Sequence, residues 1–231
     1  LFFSLSVGFK KLTNLYFIFF LICIQGFIGW YMVSSGLVDR VDVSHFRLSI
    51  HLIMAFFILS LILWNYFKLK DLTFSGKKLN LILPLIFLVL IFCQILIGAF
   101  VSGLDAGKIY NSWPLMGSNY FPDDNKYIDL LNIKAFNDPS LVQFMHRNLA
   151  YLIFTYYLFL LFKIYNNKLD NFFSSIKIIG LLLAIQIFLG ILTLLHGAQI
   201  IIASMHQISS IFLVSSSVYF LYLNTNQQLS D

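Results

Sequence analysis

Six apolar stretches, each long enough to cross a lipid bilayer, constrain this chain more than anything else in it. They fall at about 12–34, 46–67, 79–102, 141–162, 177–195 and 200–223. A hydrocarbon core about 30 Å thick takes about 20 apolar residues as a helix. Only helices and closed barrels keep every backbone polar group paired in lipid. The stretches are far longer than barrel strands, so the spacing predicts an all-α, polytopic membrane protein with six transmembrane helices. Composition agrees: 59% of the 231 residues are hydrophobic and 11% are charged, where a soluble domain has about 25% charged. Disordered, collagen-like and disulfide-scaffold classes are excluded on the same ground.

The net charge of +5 does not point to nucleic acid, because the basic residues sit in links between apolar stretches. Lys10, Lys11, Lys68, Lys70, Lys77, Lys78, Lys163, Lys168 and Lys177 fall on one side with Asp71, Asp170 and Asp231. The other side carries six basic residues and seven Asp. The positive-inside rule then puts both ends of the chain in the cytoplasm, or in the matrix of a mitochondrion. The links at 35–45, 103–140 and 196–199 face outward. Cys23 and Cys93 each lie within an apolar stretch and read as buried filler.

The link at 103–140 is the only long one. It holds Tyr110, Trp113, Tyr120, Phe121 and Tyr127, aromatic residues that disordered segments lack. It is expected to form an ordered cap on the outer surface.

A repeat runs through the odd-numbered helices: Gln25-x-x-x-Gly29, Gln94-x-x-x-Gly98 and Gln186-x-x-x-Gly190. A glycine at such a place commonly permits close helix packing. Each odd helix is followed by an even one with a histidine near its outward end: His51, His146 and His206. The unit is a helical hairpin with one intramembrane histidine, three times over. Ionisable groups at that depth are expensive and mark function. His45 and His196, at link positions, read as ordinary interfacial residues.

Zinc would want cysteine or carboxylate company, and a proton relay would want acidic residues within the spans; neither is present in the pattern. Haem iron takes two imidazoles from facing helices of a bundle, inside the kind of apolar, aromatic walls these spans supply. Arg47, one turn from His51, and Arg147, beside His146, are cations at the level where haem propionates would meet water. Three histidines make one pair and leave one over. The repeat therefore anticipates a further hairpin ahead of Leu1, in keeping with a sequence that does not start at Met.

Several segments taken together resemble the haem A synthase family of proteobacteria and mitochondria. They are SSGL at 34–37, RLxxHL at 47–52, GAFVSGLDAG at 98–107, YNxWPxMG at 110–117, VQFxHRxxAY at 142–151, LGILTLL at 189–195 and AxxHQ at 203–207. The resemblance implies eight spans in two pseudo-symmetric four-helix halves, of which this chain matches spans three to eight. Residues 1–75 would be the second half of the N-terminal bundle, which binds the substrate haem O. Residues 76–231 would be the C-terminal bundle, which holds haem b as cofactor between His146 and His206.

By the same resemblance His51 is an iron ligand of the substrate haem, with Arg47 on its propionate. Gln143, Arg147, Asp105, Tyr110, Asn111, Trp113 and Gln207 become haem-adjacent candidates. The family's catalytic Glu lies on a helix that this sequence does not contain, and all ten acidic residues here are Asp; the fragment alone is expected to be inactive. The implied activity is that of an oxidoreductase turning the C8 methyl of haem O into the formyl group of haem A, for cytochrome oxidase assembly. The expected setting is a bacterial inner membrane, with the mitochondrial one as alternative. Haem O synthase, cytochrome oxidase assembly factors and a second copy of the chain are the partner candidates. A bis-histidine membrane cytochrome that only carries electrons is the competing reading.

Overall fold

The computed structural model describes residues 9–34, 43–70, 72 and 74–228. Six long helices dominate: α1 (Phe9–Ser34), α2 (His45–Leu69), α3 (Ile82–Gly103), α4 (Pro139–Asn166), α5 (Phe173–Leu195) and α6 (Ile200–Thr225). All six are long and apolar enough to cross a membrane, so the protein is a multi-pass helical membrane protein. The segment Ser35, Gly36 and Leu37, together with Arg40, Asp71 and Asp231 of the charge pattern, lies outside the described residues.

Helix ends follow local chemistry. α3 starts at Ile82 rather than at 79, because Pro84 has no N–H and belongs in a first turn. Leu79 is instead clamped by Asn224, whose side chain accepts from its N–H at 2.8 Å and donates to its carbonyl at 3.2 Å. α4 starts earlier than the apolar stretch suggests: Asp138 caps it by accepting from the Leu141 N–H at 2.9 Å, with Pro139 in the first turn. Its other end runs on to Asn166 and closes with a left-handed residue, Lys168 (φ 50°). The link between α5 and α6 is the expected four residues, 196–199. Gly197 (φ 62°) makes that turn: its N–H bonds Leu194 and the Ala198 N–H bonds Thr193, a Schellman closure.

The helices pack unequally. α3, α4, α5 and α6 close into a ring, each touching two ring neighbours, so α4 and α6 occupy opposite corners. α2 packs on the outside of this ring against α3 and α6, and α1 packs on α2. Phe87, Ile91, Ile153, Leu160, Ile179 and Val214 are among the fully buried side chains of the ring. They sit in the half away from the 103–140 link. Close packing thins toward the other half: on α5 no residue after Leu183 is buried, and on α6 none before Ser210.

The 103–140 link is ordered, as expected. Short 3₁₀ turns at Ala106–Lys108, Tyr127–Leu131 and Ile133–Asn137 fold it over the end of the ring. It carries its own small core of Met116, Phe121 and Ala135 against Leu141 and Phe144 of α4. Cys23 and Cys93 correct the sequence reading: both are free and exposed on their helices rather than buried. Apolar character placed them in spans, but their angular positions put them on outward faces.

Candidate histidine sites

Each of the three hairpins builds the same small device at the same register. Gln25 stands nine residues before Ser34, Gln94 nine before Gly103, and Gln186 nine before Leu195. His51 lies six residues into α2, His146 seven into α4 and His206 six into α6, which is ~10 Å of helix rise. In every hairpin the glutamine amide donates to the backbone carbonyl of the facing histidine. The distances are 3.0 Å for Gln25 to His51, 3.1 Å for Gln94 to His146 and 3.0 Å for Gln186 to His206.

The glycines explain the four-residue spacing. Gln and Gly at i and i+4 share a helix face, so one binds the histidine while the other seats its ring. A Cβ added at Gly29, Gly98 or Gly190 would stand 3.0, 3.1 and 3.1 Å from the imidazole Cε1 of His51, His146 and His206 respectively. The absent side chain is where the ring lies. Reading these glycines as a means of close helix packing is thereby narrowed to a specific purpose: they make room for an imidazole. The glutamines were legible as a repeat, but only the hairpin crossing reveals them as histidine partners.

Two devices differ from the third. The Gln25 and Gln94 amides also approach the ring Nε2 of their histidines, both at 3.3 Å. The carbonyl contact fixes the amide nitrogen as the group facing the histidine, so its second hydrogen points at the ring nitrogen. Gln186 makes no such ring contact. Its Oε1 instead accepts from the Ser209 hydroxyl, whereas the side-chain oxygens of Gln25 and Gln94 are buried without a partner. In all three rings Nδ1 is buried and unpartnered. An amide hydrogen on Nε2 of His51 and His146 puts the ring proton on Nδ1, so their buried Nδ1 is an unmatched donor and Nε2 is the nitrogen with a lone pair for a metal.

His146 and His206 stand at matching depth on α4 and α6, the opposite corners of the ring. His51 belongs to the α1–α2 hairpin. Arg47, one turn before it, holds its guanidinium carbon 4.8 Å from the centre of the Tyr31 ring.

The cap candidates sort into three groups. Gln143 and Arg147 reach the same stretch of link: Gln143 donates to the Tyr110 carbonyl at 3.0 Å, and Arg147 donates to the carbonyls of Tyr110, Ser112 and Leu115 at 3.0, 2.9 and 3.2 Å. Asn111 ties the link to α5 through the Leu194 carbonyl at 2.9 Å, and Trp113 donates to the Tyr151 hydroxyl at 3.1 Å. Asp105, with a left-handed φ of 52°, pairs with Lys108 at 2.8 Å on the surface, and Gln207 is exposed.

Charge in the cap is concentrated on Tyr110, whose hydroxyl donates to Asp123 at 2.6 Å and Asp124 at 3.2 Å. Desolvation, reinforced by those carboxylates, pushes the Tyr110 hydroxyl up to about 12. Burial alone would raise Asp124, but hydrogen bonds from Ser140, Asn125 and Tyr110 outweigh it and hold its carboxyl below the ordinary range.

With this geometry in view, residues 3–218 match the model of the COX15-CtaA family, described as cytochrome oxidase assembly protein. The chain belongs to that family. Among its relatives is the heme A synthase of Pelagibacter ubique, 49% identical over 98% of this chain and 67% of the relative. The heme A synthases of Rickettsia bellii (strain OSU 85-389) and Rickettsia prowazekii are 45% and 41% identical over 86% and 89% of this chain. The chain spans 60% and 62% of those two relatives' lengths.

For the family's chemistry the donor set is informative. Among the described residues no three His, Cys, Asp or Glu side chains converge on one point. What the ring offers is two imidazoles at matching depth on opposite corners, where close packing thins. That arrangement fits a planar apolar cofactor whose metal needs two axial nitrogens.

Proposed function

We propose that the protein is a haem A synthase, an oxidoreductase that converts the C8 methyl of haem O to the formyl group of haem A. The observation that carries the reading is the His146–His206 pair on opposite corners of the α3–α6 ring, each histidine held by its own glutamine. The heme A synthase relatives support the chemistry; the geometry supports haem b as the resident group. Bound between these imidazoles, haem b supplies one-electron redox capacity. The protein's own residues hold it in place: Gln94 and Gln186 anchor the histidine backbones, and Gly98 and Gly190 leave the space the rings occupy.

Residues 76–231 form the haem b bundle in this reading, and residues 1–75 contribute to the site for haem O. His51 is the substrate iron ligand. Arg47 pairs with a substrate propionate, its guanidinium already steadied over Tyr31. Arg147 is a positioning residue: its three carbonyl contacts pin the cap over the site and exclude water. The Lys-rich ends of the helices face the cytoplasm of a bacterial inner membrane. Haem O synthase and cytochrome oxidase assembly factors are the partners proposed in that membrane.

The test is to supply purified full-length protein with haem O and assay the pyridine haemochrome. Haem A is expected to appear. A preparation that holds haem b, leaves haem O unchanged and yields no haem A would overturn the reading in favour of an electron carrier.

A further inference from the structure

The three devices are alike except for one hydroxyl. Three residues after each histidine stand Met54, Leu149 and Ser209. Only Ser209 can hydrogen-bond, and it donates to Gln186 Oε1 and to the His206 carbonyl, the latter at 2.9 Å. A glutamine amide has two hydrogens. Gln94 spends one on the His146 carbonyl at 3.1 Å and aims the other at ring Nε2 at 3.3 Å, so that ring nitrogen's lone pair is covered. Gln186 spends one on the His206 carbonyl at 3.0 Å. Its oxygen is held by Ser209, which fixes the plane of the amide, and no hydrogen bond reaches the His206 ring.

We infer that the two histidines of the ring take up haem in a fixed order, His206 first and His146 second, and that Ser209 sets this order by holding Gln186 off the His206 ring. The inference rests on the haem reading above and adds an assembly sequence to it. His206 offers an uncovered imidazole. His146 becomes available only after its ring turns away from the Gln94 amide, a step that breaks one hydrogen bond. Such a bond is worth about two- to tenfold in a rate or an equilibrium. The amide keeps its other hydrogen on the His146 carbonyl when the imidazole turns away from it, so only the ring contact is lost.

The experiment mixes haem-free full-length protein, in detergent, with haemin and follows the absorbance. Wild type should pass through a one-imidazole, high-spin spectrum before the low-spin one. His146→Ala should capture haemin at the wild-type rate and stop at the high-spin spectrum, whereas His206→Ala should capture it at least about twofold more slowly. Ser209→Ala should slow the first phase by about two- to tenfold, because Gln186 is then free to cover the ring. Adding Gln186→Ala to Ser209→Ala should restore the rate, which a merely loosened helix would not do. Equal capture by the two single histidine variants, an unchanged first phase in Ser209→Ala, or no recovery in the double variant each overturns the inference. A wild-type spectrum in His146→Ala/His206→Ala would overturn the haem reading itself.

Discussion

The α1–α2 hairpin and the two hairpins of the ring contain the same parts in different company. Gln25, Gly29 and His51 match Gln94, Gly98 and His146 to within 0.1 Å in both glutamine contacts and in the approach of the glycine to the ring Cε1. Yet α4 and α6 face one another across a closed ring, while α1 packs chiefly against α2 among the described helices. Large side chains such as Tyr16, Phe19, Phe27 and Trp30 remain exposed along it. One histidine device is a local product of a hairpin. Two such histidines stand on facing helices where hairpins meet, and among the described residues that is the ring.

The largest effect that would sharpen this contrast is loss of a ring histidine. His146→Ala and His206→Ala should each lower the haem b content of purified full-length protein by about tenfold or more. His51→Ala should leave haem b content intact while abolishing haem O conversion, both read from the pyridine haemochrome. Equal haem b loss in all three would break the distinction between the regions.

A smaller effect comes from filling the ring seats. Gly98→Ala puts a Cβ 3.1 Å from Cε1 of His146, an overpacking that should cost about 1–3 kcal/mol. Gly29→Ala makes a similar contact, 3.0 Å from His51, but α1 can shift because, among the described helices, its packing is chiefly against α2. Its cost should be less than half as great. Thermal unfolding of the two variants compares them directly, and a Gly29→Ala loss as large as that of Gly98→Ala would show α1 to be as constrained as the ring helices.

Next comes the cap over the end of the ring. Arg147→Gln removes up to three charge-assisted bonds to the link, a local loss of about 2 kcal/mol. Amide exchange across 110–117 should accelerate while exchange in α2 stays unchanged. Uniform exchange rates would show that Arg147 does not pin the cap.

The smallest effect is pH dependence of the same cap. Asp124 is held below its ordinary value of 3.8, so its contribution is present above that value and is lost as pH falls through the depressed one. Tyr110 is raised to about 12, so its contribution is complete below 10 and is lost as pH rises toward 12. Cap exchange should quicken at both extremes. Asp124→Asn should remove the acid limb, and persistence of that limb would transfer it to another carboxylate.

Much of this architecture is legible from residues alone. Six spans follow from length and apolarity, because lipid leaves a backbone no alternative to internal hydrogen bonding. The depth of the three histidines and the Gln-x-x-x-Gly register also follow, because both are counts along a helix. The ordered cap could be anticipated from its aromatic residues. Span membership did not reveal which faces Cys23 and Cys93 present, since uniformly apolar helices carry little angular information.

Tertiary structure decided the rest. That each glutamine meets a histidine, and that a glycine is the seat of an imidazole, depends on how two antiparallel helices cross. That His146 and His206 oppose each other, with His51 in a hairpin outside the ring, depends on which helices close it. The role of Arg147 turned from a cation beside a histidine into the anchor of a link more than thirty residues upstream. Ser209 looks like any serine in a span until its hydroxyl is found on Gln186. Local sequence sets what each helix is and how deep its polar groups lie; partners across a bundle are set by packing, which no single helix contains.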